Sequence, residues 1–318
     1  MIKKFILEIY AILKDITLFT SYSHKYPTSK IFNKLPYQQL RILFDYFLTK
    51  IYQMKIAKNF HLEKKETLNF GKKNGVIVNE NFFSNKEIEK LKKIIEEIIG
   101  NYKSHNVTLE GSHLNKDKNS FSKYYYLPNY ETKLSHIVSD FYKILYSKEQ
   151  IMTQLKFLAG ICLKKKEVSV YISKVKGELK SDDWHSDCFS HTSKSFIYLN
   201  DVNKNNSPFC FMKKSHSNKY LKTLNEEENS KKIFVANKNK NFSGDMIWNK
   251  LKDSKLKDEI FKASDIIECI YPKGTLITCD TSGFHKKGYS DGKKERFMIG
   301  LVSHRGSMLR KFNSIMYK

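Results

Sequence analysis

Proline is scarce in this chain, with 5 among 318 residues. Combined with 40% hydrophobic, 28% charged and 14% aromatic residues, that scarcity excludes a disordered polypeptide and describes a folded globular one. Cysteine is equally sparse. Cys162, Cys188, Cys210, Cys269 and Cys279 are odd in number, widely scattered and never arranged as C-x-x-C. This excludes a disulfide framework and a structural zinc site, and it points to a reducing compartment such as the cytoplasm. There is no glycine-rich phosphate loop, zinc-finger spacing, RNP-like aromatic strand or internal repeat, so specific nucleic-acid recognition is not expected. Uncharged runs are too short to span a bilayer. The opening MIKKFILEIYAILKDITLF is interrupted by Glu8 and lacks a small-residue cleavage site, which argues against a signal peptide.

Acidic residues are also in deficit, 33 Asp/Glu against 57 Lys/Arg, for a formal charge of +24. Such an excess favours anionic partners without choosing among them. The imbalance is marked near the start, where residues 1–73 hold 14 Lys/Arg and 5 Asp/Glu, a balance of +9. Residues 1–70 read as a basic helical extension broken at Pro27 and Pro36. With Phe5, Ile9, Ile12 and Phe19 on offer, this extension either packs on one flank of the core or makes peripheral contact with an acidic membrane.

A single domain is expected over residues 71–318. KKNGVIVNENFFS supplies a strand and a turn, and SNKEIEKLKKIIEEIIG a helix. In that helix Ser84 is the N-cap, Glu87 completes a capping box, and Ile88, Leu91, Ile95 and Ile98 form one stripe ending before Gly100. A second helix is expected around KLSHIVSDFYKILYS. Beyond residue 150, QLKFLAGICLKK, EVSVYISKVK, KSFIYLNDV, KKIFVA, DIIECIY, GTLITCD and RFMIGLVSH all read as short strands, the pattern of an antiparallel sandwich or barrel. An Asn/Lys/Glu-rich insertion at about 217–263, containing Trp248, is expected to lie over one end of the sheets.

The chemistry concentrates in SDDWHSDCFSH, residues 181–191. On an extended backbone His185 and Asp187 project to the same side, where an imidazole and a carboxylate can converge on one ion. KGTLITCDTSGFHKKG then carries a strand into a Ser-Gly turn and presents His285, with Arg296 opening the next apolar strand. His185, Asp187 and His285 together make a two-histidine, one-carboxylate face that leaves iron positions open. A nearby guanidinium suits a bidentate carboxylate partner.

These stretches resemble the phytanoyl-CoA dioxygenase family of Fe(II)/2-oxoglutarate-dependent oxygenases in four ordered segments. They are VIVNENFFSNKEIEKL, the W-H-x-D of WHSD, SFIYLNDVNKNNSPFCFMKKSH, and GTLITCDTSGFH followed by Arg296, covering roughly residues 75–305. The resemblance implies a mainly β protein with flanking helices, built on a double-stranded β-helix (jelly roll, cupin-like). It implies His185, Asp187 and His285 as Fe(II) ligands and Arg296 as partner of the distal carboxylate of 2-oxoglutarate. Tyr171, Lys194 and Tyr198 become further candidates for 2-oxoglutarate contact. The implied reaction consumes O2, converts 2-oxoglutarate to succinate and CO2, and hydroxylates a substrate that the resemblance does not select. The lysine pairs 213–214 and 286–287 and the basic N-terminal region point to an anionic small molecule or lipid-linked saccharide. A non-catalytic jelly-roll protein binding an anionic ligand is the alternative. Two departures stand out. The family's P-G-S-H is here Lys213-Lys214-Ser215-His216, and His285 is followed by Lys286 and Lys287. His191 reads as a loop or substrate contact, and His216 as a hydrogen bond at a turn.

Overall fold

The computed structural model describes residues 35–58, 62–104, 121–127, 136–180, 184–187, 191–218, 249–250, 266–303 and 308–316. Residues 1–34, KKIFVA and nearly all of the 217–263 insertion lie outside these ranges, and with them the expectations placed there.

Helices α1 (Leu35–Ala57) and α2 (Leu62–Asn74) precede strand β1 (Val76–Asn79). Helix α3 (Asn85–Ser104) follows. It starts where expected, because the Ser84 amide donates to Glu87 at 2.8 Å while the Glu87 amide donates back to the Ser84 hydroxyl at 3.3 Å. It continues past Gly100, whose missing side chain has no neighbour to satisfy there. Strand β2 (Phe121–Tyr126) and helices α4 (His136–Tyr146) and α5 (Glu149–Ala159) come next.

Helix α5 corrects one expectation. QLKFLAGICLKK is not a strand: its first half completes α5, whose Ile151, Leu155 and Leu158 recur at helical spacing on the buried side. Gly160 then ends the helix in a left-handed conformation (φ 65°), and a Cβ there would strike Thr49.

The remaining elements are β3 (Val168–Lys176), β4 (Glu178–Leu179), β5 (His185–Ser186), β6 (Ser193–Tyr198), β7 (Phe209–Met212), β8 (Asn249–Lys250), β9 (Ile266–Cys269), β10 (Leu276–Asp280), β11 (His285–Lys287), β12 (Ser290–Asp291), β13 (Arg296–Ser303) and helix α6 (Met308–Met316). Two antiparallel sheets carry the architecture, one in the order β1-β10-β6-β13-β3-β2 and the other β8-β5-β11-β7-β9. Along the chain β3, β6, β10 and β13 fall in the first sheet and β5, β7, β9 and β11 in the second. This alternation winds the chain as a double-stranded β-helix, the jelly roll, with helical flanks.

The period-two pattern of the strands sorts their residues. Val170, Ile172, Ile197, Leu276, Ile299 and Leu301 turn outward onto α3, α4 and α5 and form the larger core. Tyr171, Phe196, Tyr198, Ile277, Cys279 and Met298 turn inward, toward Phe209 and Phe211 of the facing sheet. Gly300 matters here, because it lies opposite Tyr171 and a Cβ would meet the tyrosine ring. Its bare backbone lets that ring lie across the sheet.

Of residues 1–70, positions 35–58 and 62–70 are described. α2 runs through the boundary placed at residue 70 and into β1, with Leu68 buried against Ile77, Phe157 and Leu158. On α1, Asp45 pairs with Lys311 of α6 at 2.7 Å, both fully buried, and Lys311 also donates to Thr49 at 3.0 Å. No described helix is long and apolar enough to cross a membrane.

Candidate metal centre

His185 and His285 sit directly opposite each other, because β5 and β11 pair in that register. Their rings are 4.4 Å apart, centroid to centroid. Asp187 follows β5, its amide donating to the Thr281 carbonyl at 2.8 Å, which ties the H-x-D to the turn before His285. One ligand atom from each of His185, Asp187 and His285 lies within 4.8 Å of the other two. The sequence places His285 100 positions beyond His185, and the sheet brings it to the H-x-D.

Their protonation suits ligation. His285 Nδ1 lies 2.9 Å from the Gly283 carbonyl and donates to it, which leaves the Nε2 lone pair facing Asp187, 3.8 Å from Oδ1. Burial, reinforced by His185, pushes the His285 imidazole down to about 3, against the smaller favourable pulls of Asp187 and Gly283. Burial opposes ionisation of Asp187, but the charge of Lys194 and its hydrogen bond outweigh it and hold the carboxyl well below its usual range. A neutral imidazole beside an ionised carboxylate is the state a divalent cation requires.

Lys194, on the inner face of β6, places Nζ 2.9 Å from Asp187 Oδ2 and 3.1 Å from Oδ1. Arg296 opens β13 on the same face and is almost fully buried. One of its terminal nitrogens donates to the Ser207 carbonyl, Nε has no hydrogen-bond partner, and no described carboxylate pairs with it. A buried guanidinium without a counter-charge is costly, so the site is built for an anion. Donor set and orphaned cation therefore fit a divalent metal accompanied by a carboxylate ligand.

Tyr171 shares the inner face, in contact with Tyr124 and Tyr126, and burial raises its phenol. Tyr198 is placed differently. Its hydroxyl donates to the Cys269 carbonyl at 3.0 Å and accepts from the Phe209 amide at 3.5 Å, which occupies it with the facing sheet. Trp184 packs with Cys210, Met212 and Phe284 beside the metal-bearing segment, and Lys286 lies 5.0 Å from its ring. Phe209, not singled out from the sequence, sits 5.6 Å from the His285 ring and walls the site.

His191 does lie in the loop before β6, but it is buried there. Its ring is buried against the Asp280 carboxylate, which also accepts from the Ser282 hydroxyl at 2.7 Å, while its amide donates to Asp45 at 3.0 Å. His216 stays at its turn, with Nε2 3.1 Å from the Lys72 carbonyl. Lys214, standing where the resembled motif has glycine, is left-handed at φ 63°.

No family profile matches the chain, and no curated protein matches it. Solved structures do. It is similar to the epimerase SnoN in complex with Fe3+, alpha ketoglutarate and nogalamycin RO (12% identity, TM-score 0.48, 75% of this chain and 82% of that one). It is similar to EctD from S. alaskensis with bound Fe (15%, 0.46, 74% and 75%). It is also similar to HygX from Streptomyces hygroscopicus with nickel and 2-oxoglutarate bound (13%, 0.44, 75% and 85%).

Proposed function

We propose that this chain is an Fe(II)- and 2-oxoglutarate-dependent oxygenase of the phytanoyl-CoA dioxygenase type, acting in the cytoplasm as a hydroxylase. One observation carries the reading: His185, Asp187 and His285 converge at a single point in a jelly roll that also buries an unpaired Arg296. Iron at the three ligands, with 2-oxoglutarate, would supply oxidative chemistry that uses O2 and releases succinate and CO2.

The chain's own residues have distinct tasks. Asp187 supplies the negative charge, and the Gly283 carbonyl aims His285 Nε2 inward. Arg296 would hold the distal carboxylate of 2-oxoglutarate, with Tyr171 and Lys194 on the same inner face as its further contacts. Phe196 and Phe209, in ring contact at 4.8 Å, keep water from one side. The retained carboxylate at Asp187 favours hydroxylation over halogenation, because it fills the place a halide needs. An anionic small molecule or lipid-linked saccharide is the proposed substrate class, supported by Lys286 and Lys287 on β11 and by the net charge.

A second reading, a metal-free binder of an anionic ligand, is favoured by the Lys194–Asp187 ion pair, which already gives the carboxylate a counter-charge. Anaerobic titration of folded, metal-free protein separates the two. The oxygenase binds Fe(II) stoichiometrically and then develops a charge-transfer absorption with 2-oxoglutarate. Failure to bind Fe(II) would establish the binder.

A further inference from the structure

Helix α1 is apolar on two opposite sides. Ile42, Leu48, Thr49 and Tyr52 face the protein. Leu40, Leu43, Phe47 and Met54 lie on the opposite side, Leu40 57%, Phe47 58% and Met54 52% exposed. Their spacing of three, four and seven residues makes one stripe at 100° per residue. By the same rotation Lys50 and Lys55 fall on its two flanks and Lys58 at its C-terminal end. The stripe is held rigidly, because the buried Asp45–Lys311 pair and the bond from Lys55 Nζ to the Ile315 carbonyl (2.7 Å) fasten the other side of α1.

Where the stripe ends a groove begins. Met54, Ala57 and Phe157 give it apolar walls, and Lys58, Lys65 and Lys72 stand among its lining, around a volume of about 290 Å³. An apolar slot bordered by three cations and continuous with an apolar stripe matches one kind of surface. Acyl chains take the apolar residues and negative headgroups take the lysines, whose stems reach past the apolar surface to the interface.

We infer that the α1 face and its adjoining groove dock the protein on an anionic phospholipid bilayer, with α1 lying in the plane of the interface. Charge complementarity selects this occupant over a second copy of the chain, which would set the same lysines against one another. The inference stands apart from the iron chemistry, since none of these residues belongs to the metal centre.

Co-sedimentation of the full chain with phosphatidylcholine vesicles, with and without phosphatidylserine, tests it. Binding is expected only with phosphatidylserine and should weaken as salt rises. Lys58→Ala with Lys65→Ala should lower partitioning ~25-fold, about fivefold for each lysine. Leu43→Gln with Phe47→Gln should abolish binding without lowering the melting temperature, because both side chains are exposed. No wild-type binding at low salt overturns the inference, and so does equal binding by the Leu43/Phe47 variant. Two other results also overturn it. In one, the variant loses thermal stability and wild type ignores vesicles, which means residues 1–34 cover the stripe. In the other, sedimentation shows a wild-type dimer that the variant breaks, again without vesicle binding.

Discussion

The Lys194 ammonium lies 2.9 Å from the Asp187 carboxylate, on the one acidic residue of the proposed metal face. A cation arriving at His185 and His285 must share that carboxylate with the lysine. Lys194→Met is therefore expected to bind Fe(II) about tenfold more tightly, since roughly 1.4 kcal/mol of like-charge opposition is removed. Without metal, the same variant leaves a buried carboxylate unpaired and should lose about 2 kcal/mol of stability, restored on adding metal. Anaerobic metal titration and denaturant melts with and without Fe(II) report both effects. Unchanged metal affinity would mean that the lysine does not oppose the cation.

Arg296 gives the complementary case. Arg296→Leu should weaken 2-oxoglutarate binding by about 2–5 kcal/mol while leaving binding of Fe(II) alone intact. Because no described carboxylate pairs with Arg296, the ligand-free variant should be no less stable than wild type. A structural ion pair would give the reverse pattern, loss of stability with normal 2-oxoglutarate affinity.

The metal face was legible in sequence because its signals are local: an H-x-D on extended backbone, and a histidine just past a strand and a Ser-Gly turn. The buried support behind it was not. His191 meets Asp280 at a separation of 89 residues and Asp45 at 146, so no spacing rule connects them. Helix α5 was misread for another reason. The apolar run around Leu155, Phe157 and Leu158 suits a strand or a buried helix equally, and periodicity does not separate short runs. Gly160, as a helix stop, was the informative residue. Tyr198 is a candidate 2-oxoglutarate contact by sequence, and only the facing sheet shows that Cys269 and Phe209 take its hydroxyl.

Metal-free protein should lose stability in mild acid. His285 has an ordinary value of 6.5 and is pushed down to about 3 by burial. Between those values the unfolded chain holds a proton there that the folded chain does not, so this contribution is complete above 6.5 and fades as pH falls toward 3. Asp187, whose carboxyl is held low, adds its own loss only below the unfolded carboxylate value of about 3.9. Denaturant midpoints measured from about pH 7 to about pH 5 should fall less steeply in His285→Gln than in wild type. Parallel slopes would mean that His285 is not buried as an uncharged ring.

Lys214 offers a test away from the chemistry. Its φ of 63° places an L side chain where glycine is at ease. Lys214→Gly should relieve about 1–2 kcal/mol and raise the melting temperature by about 2–4 °C for each kcal/mol. A lowered melting temperature would show that the lysine side chain contributes more than its backbone conformation costs.

The Asp45–Lys311 pair also joins the two ends of the described chain. Lys311 lies 262 residues beyond Thr49, the other group it bonds on α1, and nearly the whole jelly roll intervenes. Closing so long a loop costs little more than closing one half its length, so the delay in pairing is one of sequence and not of entropy. During synthesis Asp45 must keep its charge in water until α6 has formed. α1, among the first described elements to be made, thus has one of its buried charges unpaired until the last described helix is in place. The same Asp45 carboxylate accepts from the His191 amide, so this one residue joins α6 to the segment behind the metal-bearing turn.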